Sequence, residues 1–448
     1  MSENIYKQVI KQKTGLVGLI LIAILLVMAI ISVIVYYPQY YDKWNNYAAW
    51  SLYPSTAAPS WISFFSSQKL PYYENITPSV NNEGIFTNYT FKYYFNYDLP
   101  PKGLIIKYSM NFSSPPVIAI ILQRPDNNDL ELFSGIASQS GSLDVFNDPG
   151  VISTIQSFVS QKTGQIPQGF TPSYALFQEV NNNMGTTKGN LLIGQYKIII
   201  EIAGGQNVKV NQVNTYVIGY YYGLMGTDYF GRPIDLGLIL GLPNALLIGF
   251  LVALFSVLVG IVYGAISGYV GGKIDDIMQW LLLLILALPA LPFLIVLIVI
   301  YRPDILLESL LIAFLSWPAV GVVARSISLS LRSAGYIEAA RALGVREVRI
   351  FFKHVFPRLL PLTMALMALT VPAGVILSQT LAFLGLAPLN SISWGLMLDD
   401  AYNYQAVLNG WWWWAVFPGI AIVFVAAPFV LLGFTLEKIA APRISERS

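Results

Sequence analysis

Six separated apolar runs dominate the chain, at residues 16–36, 246–268, 277–300, 305–323, 359–384 and 415–434. Each is close to or above the ~20 residues that an α-helix, rising about 1.5 Å per residue, needs to cross a hydrocarbon core of about 30 Å. Backbone in lipid must satisfy its own N–H and C=O groups, so such runs are restricted to helices packed as a bundle. Pro289, Pro292, Pro318 and Pro372 fall inside them, where freed backbone groups require neighbouring helices or water. Composition agrees, with 55% hydrophobic and only 11% charged residues in 448, against roughly a quarter charged in soluble domains. The predicted fold class is an all-α polytopic membrane protein of about six transmembrane helices carrying one large insertion.

The insertion spans residues 38–225, where long apolar runs vanish and Tyr, Asn, Ser, Gly and Pro dominate. Short β-rich segments at 86–97, 103–112, 117–122 and 196–202, separated by Asn, Gly and Pro clusters, predict a mainly β domain of sandwich type. Residues 151–169 fit a short helix within it. The chain thus divides into residues 1–37 (N-terminus and first helix), 38–225 (β domain) and 226–448 (five-helix core with a basic loop at 326–361).

Charge placement orients the helices. Lys7, Lys11 and Lys13, then Arg325, Arg332, Arg341, Arg346, Arg349, Lys353 and Arg358, then Lys438, Arg443 and Arg447 share one side if six spans alternate. By the positive-inside rule that side is the cytoplasm. Both termini are then cytoplasmic and the β domain is extracellular, where Asn75, Asn88 and Asn111 open glycosylation triplets. The first run follows lysines like a signal peptide, but it exceeds an h-region of about 7 to 15 residues and lacks a small-residue cleavage pattern. Its end is instead marked by Tyr36, Tyr37, Tyr40 and Tyr41, so it reads as a retained anchor. Trp411 to Trp414 suit the membrane interface.

Several chemistries are excluded. Cysteine is absent and His354 is the single histidine, which removes disulfides, thiolate catalysis and any Cys or His metal cluster. A net charge of +2 gives no field for nucleic acid. Glu308 and Arg325 stand at the two ends of the fourth run, within reach of the interface, so the spans offer no proton relay. Gly271-Gly272-Lys273 imitates a phosphate loop, yet Ser267 takes the first glycine position and Ile274 that of the magnesium-binding Ser/Thr. A helix-ending turn explains it. No catalytic residue, metal site or cofactor is therefore assigned to this chain.

The loop after the fourth run is more informative. Residues 337–343 form a short helix in which Ala339 and Ala340 permit close approach of another surface, and Gly344 supplies a left-handed stop. Beyond it, Val345, Val348, Phe352, Val355, Phe356 and Leu359 recur at helical spacing opposite Arg346, Arg349 and Lys353. Physics alone leaves two readings open: a basic amphipathic helix on anionic lipid, or a docking element for a protein.

Glu338-Ala339-Ala340, Gly344 and the Pro-bearing end at 353–361 resemble the EAA loop of ABC importer permeases. Gly226-Thr-Asp-Tyr-Phe-Gly-Arg232, the Gly268 to Asp275 segment, Phe383-Leu-Gly-Leu386 with Ser393-Trp-Gly395, and Trp414-Ala-Val-Phe-Pro-Gly419 narrow this to the C-type permease of dipeptide, oligopeptide and nickel importers. The resemblance implies a type I importer permease fold, with Glu338, Ala339, Ala340, Arg341, Leu343, Gly344 and Arg346 as the ATPase-coupling set. It also implies a second homologous permease, two ATP-binding subunits holding ATP and magnesium, and an extracellular substrate-binding protein. Two departures stand out: Pro233 where the family has Asp, and Gln379 where it has Glu. Gln379, Phe383, Trp394 and Met397 are the pathway or gate candidates, the segment 384–410 being expected to cover the outer mouth. Archaeal relatives also import sugars, so peptides and oligosaccharides both remain as substrates. A membrane-anchored receptor or adhesin, or an ATP-independent channel, leaves the cytoplasmic loop without a purpose.

Overall fold

The computed structural model describes residues 2–83, 86–388 and 391–445. Arg447 lies outside the described residues, as does the side chain of Arg443. Two compact units emerge, one made of residues 1–46 and 235–448, the other of residues 47–234.

The helical unit begins with α1 (Ser2–Lys11), α2 (Lys13–Ile31) and α3 (Tyr37–Trp44), the last two joined by a π turn, Ser32–Tyr36, into one 32-residue helix. The turn ends two residues before Pro38, whose missing N–H interrupts the ladder. Because the helix runs on to Trp44, it outlasts the apolar run that predicted it.

The second unit is β-rich. Strands β1 (Glu74–Ile76), β2 (Ser79–Glu83), β3 (Phe86–Phe95), β4 (Gly103–Asn111), β5 (Val117–Gln123), β6 (Asp129–Ile136) and β7 (Ser140–Asp144) precede α4 (Pro149–Thr163) and α5 (Pro172–Phe177). After these come β8 (Gly194–Ala203) and β9 (Lys209–Ile218). They form a four-stranded sheet, β1-β9-β4-β7, and a five-stranded sheet, β2-β3-β8-β5-β6, antiparallel throughout. Alternate side chains point to opposite faces of a strand, so Phe91, Tyr93, Phe95, Ile118, Ile120 and Leu122 of one sheet meet Leu104, Ile106, Met110 and Val217 of the other. Val151, Ile155 and Val159 of α4 join the same core. Asp148 caps α4 by accepting from the amides of Gly150 and Val151, and left-handed Gly164 ends it. Arg124, fully buried, donates to the carbonyls of Ala175, Leu176 and Gln178 and pairs with Asp126 at 2.9 Å. It thereby fixes the end of α5, while the connection after it is held by the Gln178 side chain, bonded to Gly185, Thr186 and Gly189, and by Met184 buried in the core.

The unit closes later than residue 225 because the 226–232 motif is built into it. Thr227 Oγ1 donates to the Pro54 carbonyl and accepts from the Ala57 amide, while Asp228 pairs with Arg232 and accepts from the amides of Phe230 and Arg232.

The helical unit resumes with α6 (Ile234–Val270), α7 (Gly272–Leu286), α8 (Ala290–Tyr301) and α9 (Ile305–Arg332). Then come α10 (Gly335–Ala342), α11 (Glu347–Ile350), α12 (Phe356–Phe383), α13 (Trp394–Asn403) and α14 (Trp413–Ser445). Among the described residues, five helices are long and apolar enough to cross a membrane, or up to six if α7 and α8, bent by 77°, count as one span. Proline explains the break: Pro289 precedes α8, and a residue before proline is pushed out of the helical region. A glycine seam joins α6 to α9. Added Cβ atoms at Gly260, Gly264 and Gly268 would lie 2.6, 2.2 and 2.4 Å from the carbonyl oxygens of Trp317, Gly321 and Arg325. Small residues at such four-residue spacing let helix backbones touch. Ser32 and Tyr37 donate to the carbonyls of Ile239 and Leu240, tying the first long helix to α6.

Candidate coupling loop and membrane cavity

Gly335 to Ala342 is helical because Glu338 sits favourably in its first turn and Gly344, at φ +76°, takes the left-handed conformation that stops the chain. Ile337 is buried with Leu331, Ala334, Ala265, Tyr269, Ile350, Phe351, Val355 and Leu359. Glu338 and Ala339 face out, whereas Ala340 packs partly against that cluster. The two alanines expected to serve one docking surface therefore face different ways.

The helix after Gly344 also departs from its expected register. A π turn, Phe351–Val355, stands between α11 and α12 and inserts an extra residue. Ile350, Phe351, Val355 and Leu359 consequently form the buried face, while Val348 and Phe352, assigned to it by spacing, are 69% and 63% exposed. With Leu343, 84% exposed, they line a concavity of about 1050 Å³ together with Gly344, Arg346, Arg349 and Lys353. Apolar and basic groups thus share one open surface.

Two residues that spacing did not single out complete the loop. The Tyr269 hydroxyl donates to Glu347, and Arg341 donates to the same carboxylate at 2.7 Å and 3.3 Å. Its hydrogen bond to Glu347, against a smaller opposing effect of burial, holds the Arg341 guanidinium above its ordinary pKa. Arg358 stands 3.9 Å over the Tyr336 ring. The only sequence signal for Glu347 was a lone acid inside a basic stretch.

Glu308 is folded under its neighbours instead of reaching solvent as expected, whereas Arg325 keeps part of its side chain exposed. Glu308 is 1% exposed, because the first turn of α9 is packed among its neighbours, and neither carboxyl oxygen has a hydrogen-bond partner among the described residues. Arg325 forks onto Asp275 of α7 at 2.7 and 2.6 Å, and Asp275 accepts from Ser267 of α6. One cluster therefore ties three helices.

A cavity of about 740 Å³ lies between α12, α13 and α14, lined in part by Gln379, Thr380, Phe383, Leu398, Tyr402 and Gln405. Of the four pathway candidates, Gln379 and Phe383 face it. Gln379 also accepts from the Gly395 amide at 2.8 Å, and any Cβ at Gly395 would lie 2.2 Å from the Gln379 carbonyl oxygen. Trp394 and Met397 are buried against Gly241 and Gly237 of α6, with the Trp394 indole donating to the Leu238 carbonyl. They pack the contact between α13 and α6 and do not line this cavity. Apolarity alone could not separate the two roles. Ser393 caps α13 through the Leu396 amide, so Ser393-Trp-Gly395 reads physically as cap, anchor and close approach.

Residues 260–446 match the family described as binding-protein-dependent transport system inner membrane component. The chain is 31% identical over 222 residues to the dipeptide transport system permease protein DppC of Bacillus subtilis, covering 49% of this chain and 68% of that protein. It is 32% and 33% identical over 226 residues to the oligopeptide transport system permease proteins OppC of Haemophilus influenzae and Escherichia coli K12, covering 50% of this chain and 71% and 73% of theirs. The matched half carries the loop, the glycine seam and the cavity, and by it the chain belongs to the dipeptide and oligopeptide permeases of ABC importers.

Proposed function

We propose that the chain is one of two permease subunits lining the pathway of an ATP-driven importer of peptides or oligosaccharides. The observation that carries this is the open surface of Leu343, Val348 and Phe352 ringed by Arg346, Arg349 and Lys353, beside the outward Glu338 and Ala339. A helix resting on lipid would turn its large apolar side chains and its basic ones to opposite sides. Here they form one concavity, which suits a protein ridge. The occupant is an ATP-binding subunit, which holds the ATP and magnesium; as a permease component this chain is not itself an ATPase. Substrate passes between this bundle and a second homologous permease, with Gln379 and Phe383 at the cavity side of the pathway. Peptides rank first because the similar permeases are named for dipeptides and oligopeptides.

In this reading the bent pair counts as a sixth span, both termini and the loop are cytoplasmic, and the β unit is outside, beside a substrate-binding protein; the basic residues of the loop support that orientation. Asn75 and Asn111 are exposed and suited to glycosylation, whereas Asn88 lies mid-strand with its Oδ1 buried and without a hydrogen-bond partner among the described residues. A receptor or adhesin would have no use for the loop surface. Copurification with the two ATP-binding subunits tests the reading. Wild-type chain should retain both and Ala339→Arg should retain neither, although both insert in the membrane; retention by Ala339→Arg would sink the assignment.

A further inference from the structure

Helix α10 is fastened to the bundle twice. One fastening is apolar, through Ile337 and the inner side of Ala340 against the ends of α6, α9 and α12. The other is polar. The Tyr269 hydroxyl, at the last turn of α6, donates to Glu347, whose carboxylate also accepts from Arg341 of α10, and the Arg341 guanidinium lies 5.8 Å from the Tyr269 ring centre. Three side chains from α6, α10 and α11 thus close a triangle across the Gly344 turn.

Stability does not explain this triangle. The Arg341 side chain is a third exposed and that of Glu347 more than half, and such pairs contribute at most about 1 kcal/mol. Its significance is the direction in which it connects. At its far side α6 is seated on α9 by the glycine seam and on α12 by Gly249 against Val371 and Val375, with Gly374 against Val252. A displacement delivered to Tyr269 therefore reaches the bundle through close backbone contacts, whereas the π turn at Phe351–Val355 is a weak point along the direct route into α12.

We propose that Tyr269 and Glu347 are the positioning pair that converts movement of the docked α10 into movement of α6. The proposal rests on reading α10 as the element that docks the ATP-binding subunit. Tyr269→Phe removes only a hydroxyl and leaves the ring beneath Arg341; Glu347→Gln keeps the shape and removes the charge.

The cysteine-free chain makes the test direct. Nitroxides at the exposed positions Leu258→Cys on α6 and Phe424→Cys on α14 report the distance between these helices in the assembled importer, with and without ATP and vanadate. In the wild-type background nucleotide trapping should shift that distance. In Tyr269→Phe and Glu347→Gln the importer should still assemble and trap nucleotide, yet lose most of the shift, and the double variant should be no worse than the more severe single one because both act through one contact. A full wild-type shift in both single variants overturns the proposal. So does a merely structural outcome, in which assembly falls while the assembled fraction moves normally. Ala339→Arg separates the two levels of inference: if it retains the ATP-binding subunits, the docking reading itself fails, and if it releases them while both single variants shift normally, only the positioning pair fails.

Discussion

Ala339 and Ala340 are neighbours with different tasks, and substituting each separates docking from folding. Ala339 is exposed on α10, so a long side chain there meets only an incoming partner. Ala340 leans on the cluster around Ile337 and Tyr269, so Ala340→Glu forces a charge toward apolar neighbours and should loosen the loop itself, by roughly 1 to 3 kcal/mol. Limited proteolysis at the loop should therefore accelerate in Ala340→Glu and not in Ala339→Arg; equal rates would show that the two alanines are equivalent. Gly344 is simpler. Nothing lies within 4 Å of its added Cβ, so Gly344→Val costs only backbone strain, about 1 to 2 kcal/mol. The glycine stop was legible because left-handed turns have a chemical signature. The difference between the alanines was not, because it depends on which side of a two-turn helix meets the bundle. Glu308 shows the same limit, since a charge near the end of an apolar run can either reach water or be folded under it.

At the scale of elements, the seam between α6 and α9 and the Asp275 cluster form one device. The seam brings the backbones together over a little more than two helical turns, and Arg325, whose own carbonyl faces Gly268, then grips Asp275 at the end of that seam. Gly264→Leu places carbon where the Gly321 carbonyl oxygen lies 2.2 Å away, with backbone on both sides and nothing flexible to yield. We expect that variant to lose folded protein in membranes, measured as abundance and as thermal stability in detergent, while Gly419→Leu on α14, with nothing within 4 Å, is tolerated. Asp275→Asn should lower stability by about 1 to 3 kcal/mol, less than a fully buried pair would lose, since the Arg325 side chain is 27% exposed. Element existence was largely readable: four segments expected as strands became β3, β4, β5 and β8, and the expected short helix became α4. The strands β1, β2 and β7 escaped because they are short, and β6 because it lies at a sheet edge, whereas β9, ten residues long and inside its sheet, escaped because Lys209, Asn211, Gln212 and Asn214 interrupt its apolar pattern. Of these, β1, β7 and β9 pair with partners distant in sequence, while β2 and β6 pair with the strand next to them in the chain. The π turn at Phe351–Val355 escaped for a different reason. A periodicity argument assumes 3.6 residues per turn throughout, and one inserted residue rotates everything before it.

For the whole molecule, the bent pair α7 and α8 decides the topology. Hydropathy read it as one span because it registers composition and not direction. At about 1.5 Å per residue the two helices are about 22 and about 18 Å long, so neither alone crosses a core of about 30 Å. Joined at a 77° bend they extend about 31 Å end to end, just enough to cross. A re-entrant hairpin would instead return to its own side. Between Asn111 and Val348 the chain passes through α6, this pair and α9, which is three crossings if the pair spans and two if it returns. Charge favours three crossings: the loop carries Arg341, Arg346, Arg349 and Lys353, and an even count would put it on the same side as the β unit. Both reporter positions are exposed, and no native cysteine competes for label. In intact cells an impermeant maleimide should therefore modify Asn111→Cys and leave Val348→Cys untouched until the membrane is opened. If both react in intact cells, or neither does, the number of crossings between them is even, α7 and α8 form a re-entrant hairpin, and the loop and the β unit share one side of the membrane.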